Sequence, residues 1–249
     1  MVAITLSEKR GDTMTSDVSR RDFMKAAIGT AGMAAAATIA SAAVAHAEET
    51  AEDAAAPVYE GKKMFAGIPA SRVVTDDTIY VGSSDYRIQL FENVYPIPRG
   101  VAYNSYVILD DKTVLVDTVD RSVTGQFFEN VTQALDGRDL DYLIVNHMEP
   151  DHSSAIAQVI ERYPNVTIVC TAQAAQMMQQ FFDFDAASRA MIVEEMDTLN
   201  TGNHDLVFVM APMVHWPEVM MTFDVTTGTL FSADAFGSFG ALNGNLFAD

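Results

Sequence analysis

At 249 residues and 49% apolar content, the chain can bury one good-sized core, and its composition excludes a fibre, a repeat array and wholesale disorder. The formal net charge is −19. A surface this acidic repels phosphate backbones and anionic lipid heads, which argues against nucleic acid and peripheral membrane binding.

Residues 1–47 stand apart. Arg20 and Arg21 precede a weakly apolar run from Ala26 to Ala45, and Ala45-His46-Ala47 puts small residues at alternate positions. That order predicts a twin-arginine export signal cut after Ala47, hence an extracytoplasmic protein, with Met14 an alternative start. The run is long enough to span a bilayer, but its Ala, Gly, Thr and Ser content makes a poor anchor. Without these residues ten Lys and Arg face thirty Asp and Glu, a net −20. Residues 48–77, small and acidic at first, are expected to be a linker and lead-in to one domain spanning 78–249. Cys170 is the only cysteine, so no intrachain disulfide can form; it falls in the apolar run Val166-Thr167-Ile168-Val169-Cys170 and is expected in a buried strand.

From Thr78 the pattern predicts strands at residues 79–81, 86–91, 106–109 and 113–117, the last two joined by the short polar turn Asp110-Asp111-Lys112. Val123, Phe127, Phe128, Val131 and Leu135 then fall at helical spacing and predict a helix over 122–135. The alternation continues with strands at 142–145, 166–170, 206–210 and 219–223, and helices at 153–162 and 172–182. β-rich at first and then alternating, this is a layered α/β chain. Met177, Met178, Met210, Met213, Met220 and Met221 are read as gap-filling core residues.

The chemistry concentrates after the strand ending near Val145. His147, Glu149, Asp151 and His152 put four possible metal donors in six positions. In an extended segment residues two apart point the same way, so His147 and Glu149 can converge on one ion while Pro150 blocks a helix; Asp151 and His152 then turn toward a second position. Ser153 or Ser154 is expected to cap the following helix. His215 and Asp234 also follow apolar runs, so three loops at strand ends form a frame for a metal centre. His204, in a polar stretch, is read as an ordinary core or surface histidine. Imidazoles mixed with carboxylates suit redox-active non-haem iron, whereas structural zinc would favour thiolates, and carboxylates can bridge two metals.

The pattern His147-x-Glu149-x-Asp151-His152, then His215-Trp216-Pro217, then Ser232-Ala233-Asp234-Ala235-Phe236-Gly237 resembles the metallo-β-lactamase-like domain of the flavodiiron family. The similarity runs from about Tyr80 to Asp249 and takes in Asn104-Ser105-Tyr106 and Leu115-Val116-Asp117-Thr118. Ordinary hydrolases of that fold carry a histidine where Glu149 stands. The resemblance implies an αββα sandwich of the α/β class. It also implies one iron held by His147, Glu149 and His215, a second held by Asp151 and His152, and Asp234 bridging the two. Family members reduce O2 to water or NO to N2O with electrons from FMN on a flavodoxin-like domain. By the same resemblance that domain, the last elements of the sandwich and a final histidine of the second iron lie beyond Asp249, so a flavoprotein partner would supply the electrons. Two other readings stand beside this one: a metal-dependent hydrolase of the same fold, which the carboxylate of Glu149 disfavours by lessening Lewis acidity, and an inactive fragment.

Overall fold

The computed structural model of the chain describes residues 4–5, 72–242 and 246. The export-signal and linker expectations therefore lie outside the described residues, apart from Ile4–Thr5 and the last residues of the lead-in.

The described strands are β1 (Ile4–Thr5), β2 (Thr78–Tyr80), β3 (Ser83–Asp85), β4 (Leu90–Phe91), β5 (Tyr95–Pro96), β6 (Val101–Tyr103), β7 (Tyr106–Leu109), β8 (Thr113–Val116), β9 (Tyr142–Ile144), β10 (Thr167–Cys170), β11 (Ala190–Ile192), β12 (Thr198–Asn200), β13 (Asp205–Met210), β14 (Met220–Asp224) and β15 (Thr229–Phe231). The helices are α1 (Thr124–Leu135), α2 (Pro150–Ser153), α3 (Ile156–Arg162) and α4 (Ala172–Phe181). Two sheets dominate, one in the order β11-β10-β9-β8-β7-β2 and one in the order β1-β15-β14-β13-β12. In the first, β8, β9, β10 and β11 run parallel, each separated from the next by a helical crossover or a longer connection. The second is antiparallel throughout.

Period-two alternation sorts the side chains of the first sheet into two cores. Ile108, Val114, Val116, Ile144 and Val169 face Leu206, Phe208, Met220 and Phe231 of the second sheet. Val107, Leu115, Leu143, Ile168 and Cys170 face the helices, meeting Phe127 and Val131 of α1, Ile156 and Val159 of α3 and Met178 of α4. Each such fully buried side chain contributes on the order of 1.5–3 kcal/mol. The described layers are thus helix, sheet, sheet. No helix among the described residues is long and apolar enough to cross a membrane.

Several local features depart from the sequence pattern. Residues 86–91 do not form one strand, because the Asp85 carboxylate accepts the Arg87 N–H at 2.7 Å and turns the chain between β3 and β4. Pro150 does not block helix formation; it occupies the first turn of α2, where a missing N–H costs nothing. Neither Ser153 nor Ser154 caps α3, since their hydroxyls donate to the carbonyls of Met148 and Pro150. Met213 is no core residue but 71% exposed. Strand β12 escapes sequence patterning because only Leu199 of its three residues is buried.

Candidate metal centre

The site sits where strands of both sheets end, the usual place for ligands in α/β folds. The chain leaves β9 at Ile144 and reaches His147 three residues on; it leaves β13 and β15 before His215 and Asp234. The turn after β9 is pinned from several sides. Asp117, buried at the end of β8, accepts from the Asn146 N–H at 2.7 Å and its amide Nδ2 at 3.1 Å, while Asn146 Oδ1 accepts from Thr222 of the other sheet. The Met220 N–H donates to the Asn146 carbonyl, and Thr118 donates twice to the His152 carbonyl. Met213 and Ala233, just before His215 and Asp234, and Asp117 itself hold positive φ angles of 67°, 48° and 53°. Non-glycine residues take that conformation at a cost on the order of 1–3 kcal/mol, which the surrounding structure imposes to aim these loops.

All six residues singled out in the sequence come together in two overlapping groups: His147, Glu149, His215 and Asp234 form one, and Asp151, His152 and Asp234 the other, with donor atoms inside each lying within 4.8 Å of one another. Glu149 Oε2 lies 3.1 Å from His147 Nε2 and 2.7 Å from His215 Nε2. Asp234 divides its carboxylate: Oδ2 is 3.2 Å from both His147 Nε2 and His215 Nε2, whereas Oδ1 is 3.0 Å from His152 Nε2. Asp151 Oδ2 lies 3.5 Å from that same His152 nitrogen.

The electrostatics demand positive charge. Burial would lower the His147 pKa, but its contacts with Asp234, Glu149 and Glu218 outweigh burial and push it up to about 11. His152 rises to about 9 against the same burial, through Asp151 and Asp234. Burial raises Asp151 to about 6, while Asp234 is held well below the usual carboxylate range, its imidazole contacts overcoming desolvation. Protons on these imidazoles occupy positions a bound cation would take, so metal binding would release them. Two imidazoles and two carboxylates on one side, with one imidazole, one further carboxylate and the shared Asp234 on the other, fit a pair of divalent first-row ions. The all-nitrogen and oxygen donor set suits iron better than structural zinc. Asp151 Oδ1 and His152 Nδ1 are buried with no hydrogen-bond partner among the described residues, as atoms beside an ion site can be.

His204 lies elsewhere, its ring nitrogens bound to Asp224 at 2.8 Å and Asp77 at 2.9 Å. Glu218 went unremarked in the sequence. Its Oε1 lies 2.7 Å from His147 Nδ1, behind the donor face. The available signal was a lone acid between Pro217 and the apolar run of β14. Glu92, at the tip of the turn between β4 and β5, shares a hydrogen bond with Glu149 that raises the Glu92 pKa.

Residues 101–249 match the family model described as "ODP family beta lactamase". Among curated proteins the chain is 38% identical over 169 residues to an anaerobic nitric oxide reductase flavorubredoxin of Klebsiella pneumoniae, covering 67% of this chain and 35% of that protein. It therefore spans about a third of the length of such relatives. Among solved structures it is similar to the flavodiiron protein of Giardia intestinalis, with TM-score 0.63, 25% identity and coverage of 71% of this chain and 42% of that one. Rubredoxin oxygen:oxidoreductase of Desulfovibrio gigas gives TM-score 0.60 and 26% identity over 69% of this chain and 42% of that one.

Proposed function

This chain belongs to the ODP family of beta lactamases and within it to the flavodiiron proteins, and from that premise we propose that it is a non-haem di-iron oxidoreductase module that reduces O2 to water, NO to N2O, or both, with electrons from a flavin-carrying partner. The observation that carries this reading is the divided carboxylate of Asp234, one oxygen against His147 and His215 and the other against His152. His147, Glu149 and His215 would hold one iron, Asp151 and His152 the other, and Asp234 both. Bound there, two irons supply Fe(II)/Fe(III) redox chemistry for reducing a small oxidised molecule. Glu149 and Asp234 supply the negative charge that balances the oxidised pair, and they make the site a poor Lewis acid for ester hydrolysis.

An apolar rim supports docking of an electron donor. Leu90, Val94, Tyr95, Phe236 and Phe239 are exposed. Phe239 contacts the rings of Phe91 and Tyr95, which flank the Glu92 turn, and Phe236 follows Asp234 by two residues. The Arg20-Arg21 pair ahead of its apolar run supports export to the outside of the cytoplasmic membrane; an N-terminus beginning at Glu48 on the secreted protein would bear this out, and retention of residues 1–47 in the cytoplasm would refute it.

The function is tested by loading the purified chain with Fe(II) under anaerobic conditions, counting iron, and following O2 and NO consumption with reduced FMN-flavodoxin as donor. Two irons per chain and flavodoxin-dependent turnover are expected. Exclusion of iron by one tightly held zinc, with no turnover, sinks the reading.

A further inference from the structure

Three imidazoles face the two metal positions, and their second nitrogens differ. His147 Nδ1 lies 2.7 Å from Glu218 Oε1, an oxygen that also accepts the Met148 N–H at 2.9 Å. His152 Nδ1 is buried with no partner among the described residues, and the His215 side chain is 56% exposed. The Glu218 side chain is fully buried, its backbone carbonyl is held by Thr171 Oγ1, and its second oxygen has no hydrogen-bond partner among the described residues. A buried carboxylate with half of its acceptors unmet is costly to keep. Its paired oxygen is given over to the His147 ring and the Met148 N–H, so the contacts this acid makes here are with the turn that carries the histidine.

We propose that Glu218 is a positioning residue that fixes His147 with its proton on Nδ1 and its Nε2 lone pair toward Glu149 and Asp234, so that the His147–Glu149–His215–Asp234 site fills with metal before the Asp151–His152–Asp234 site. The proposal rests on the di-metal reading above and deepens it. A carboxylate behind an imidazole holds the ring in one tautomer and one orientation and increases its basicity as a ligand. Among the described residues only one of the two positions has this support, and the hydrogen bond from Met148, next in sequence to His147, ties the acid to the same turn that carries the histidine. The second position relies on Asp151, the shared Asp234 and a histidine without such a partner among the described residues, which makes it the later and weaker one to fill.

The test is an anaerobic titration of the metal-free full chain with Co(II) against a competing chelator, read by visible absorption, for the wild type, Glu218→Gln and Glu218→Ala. Gln keeps the reach and an acceptor oxygen but loses the charge, so it stays informative should the alanine variant fail to fold. The wild type should bind two Co(II) in separated phases. Affinity in the first phase should fall about 10–100-fold in E218A, and by less in E218Q, with an altered spectrum for the first ion and little change in the second. Wild-type affinity and spectrum in both variants, or an equal weakening of both phases, overturns the role of Glu218 while leaving the metal pair intact. A wild type that binds one Co(II) or none removes the metal pair itself, and this proposal with it.

Discussion

His147 and His204 are both fully buried, and each faces carboxylates, yet they do opposite work. Around His204 the two acids lie on opposite edges of the ring: Asp224 takes Nδ1 and Asp77 takes Nε2. Asp224 is further satisfied by Thr226 and Thr227, while Asp110 accepts the His204 N–H and the Asn203 and Thr201 groups. Each of these carboxylates is hydrogen-bonded within the protein, and the result is a closed clamp joining the lead-in to the second sheet. Around His147 one ring nitrogen is used for anchoring, whereas the other points at the same small volume as His215, Glu149 and Asp234. Residue type does not distinguish the two places. Convergence does: charges on opposite edges of a ring make a strut, and several donor atoms aimed at one point ask for an ion.

The sharpest way to break the comparison is Asp234→Ala. It should reduce bound iron from two per chain to at most one and lower reductase activity by more than the ~10–100-fold that loss of a group behind a ligand typically causes. Iron analysis with the flavodoxin-coupled assay checks this, and full iron content with undiminished turnover would mean the shared carboxylate is not a bridge.

Next in size is His204→Ala, which leaves Asp224 and Asp77 without their cation. A loss of about 3–5 kcal/mol is expected from denaturant unfolding, with metal content unchanged in the fraction that remains folded. A variant as stable as the wild type would show that the clamp carries no net stability.

The smallest effect is the pH dependence of that clamp. Burial lowers the His204 pKa, but hydrogen bonds to Asp224 and Asp77 outweigh it and raise the value from 6.5 to about 10. A raised histidine pKa contributes stability that is full below about pH 6.5 and is lost as pH rises through about 10. The stability gap between the wild type and His204→Ala should therefore be smaller at pH 10 than at pH 6, measured on metal-free protein. A gap that widens with pH would contradict the assigned sign.

Much of this molecule was legible in its residues. The periodicity of Val123, Phe127, Phe128, Val131 and Leu135 identifies α1, because a helix buries every third or fourth side chain whatever lies opposite it. The density of donors from His147 to His152 marks the site, since so many desolvated charges in so few positions need a common partner. Sequence spacing could not reveal Glu218, 71 positions from His147, or the division of Asp234 between two groups, 82 positions from His152. It also misread Pro150 and Met213, whose settings depend on where α2 starts and on which way the loop after β13 turns. Local order and the kinds of chemistry available were determined by the sequence itself, through propensity and side-chain type. That His204 became a strut between Asp77 and Asp224, and that Glu218 stands behind His147, was decided only by tertiary structure, because those pairings rest on distances between segments far apart in the chain.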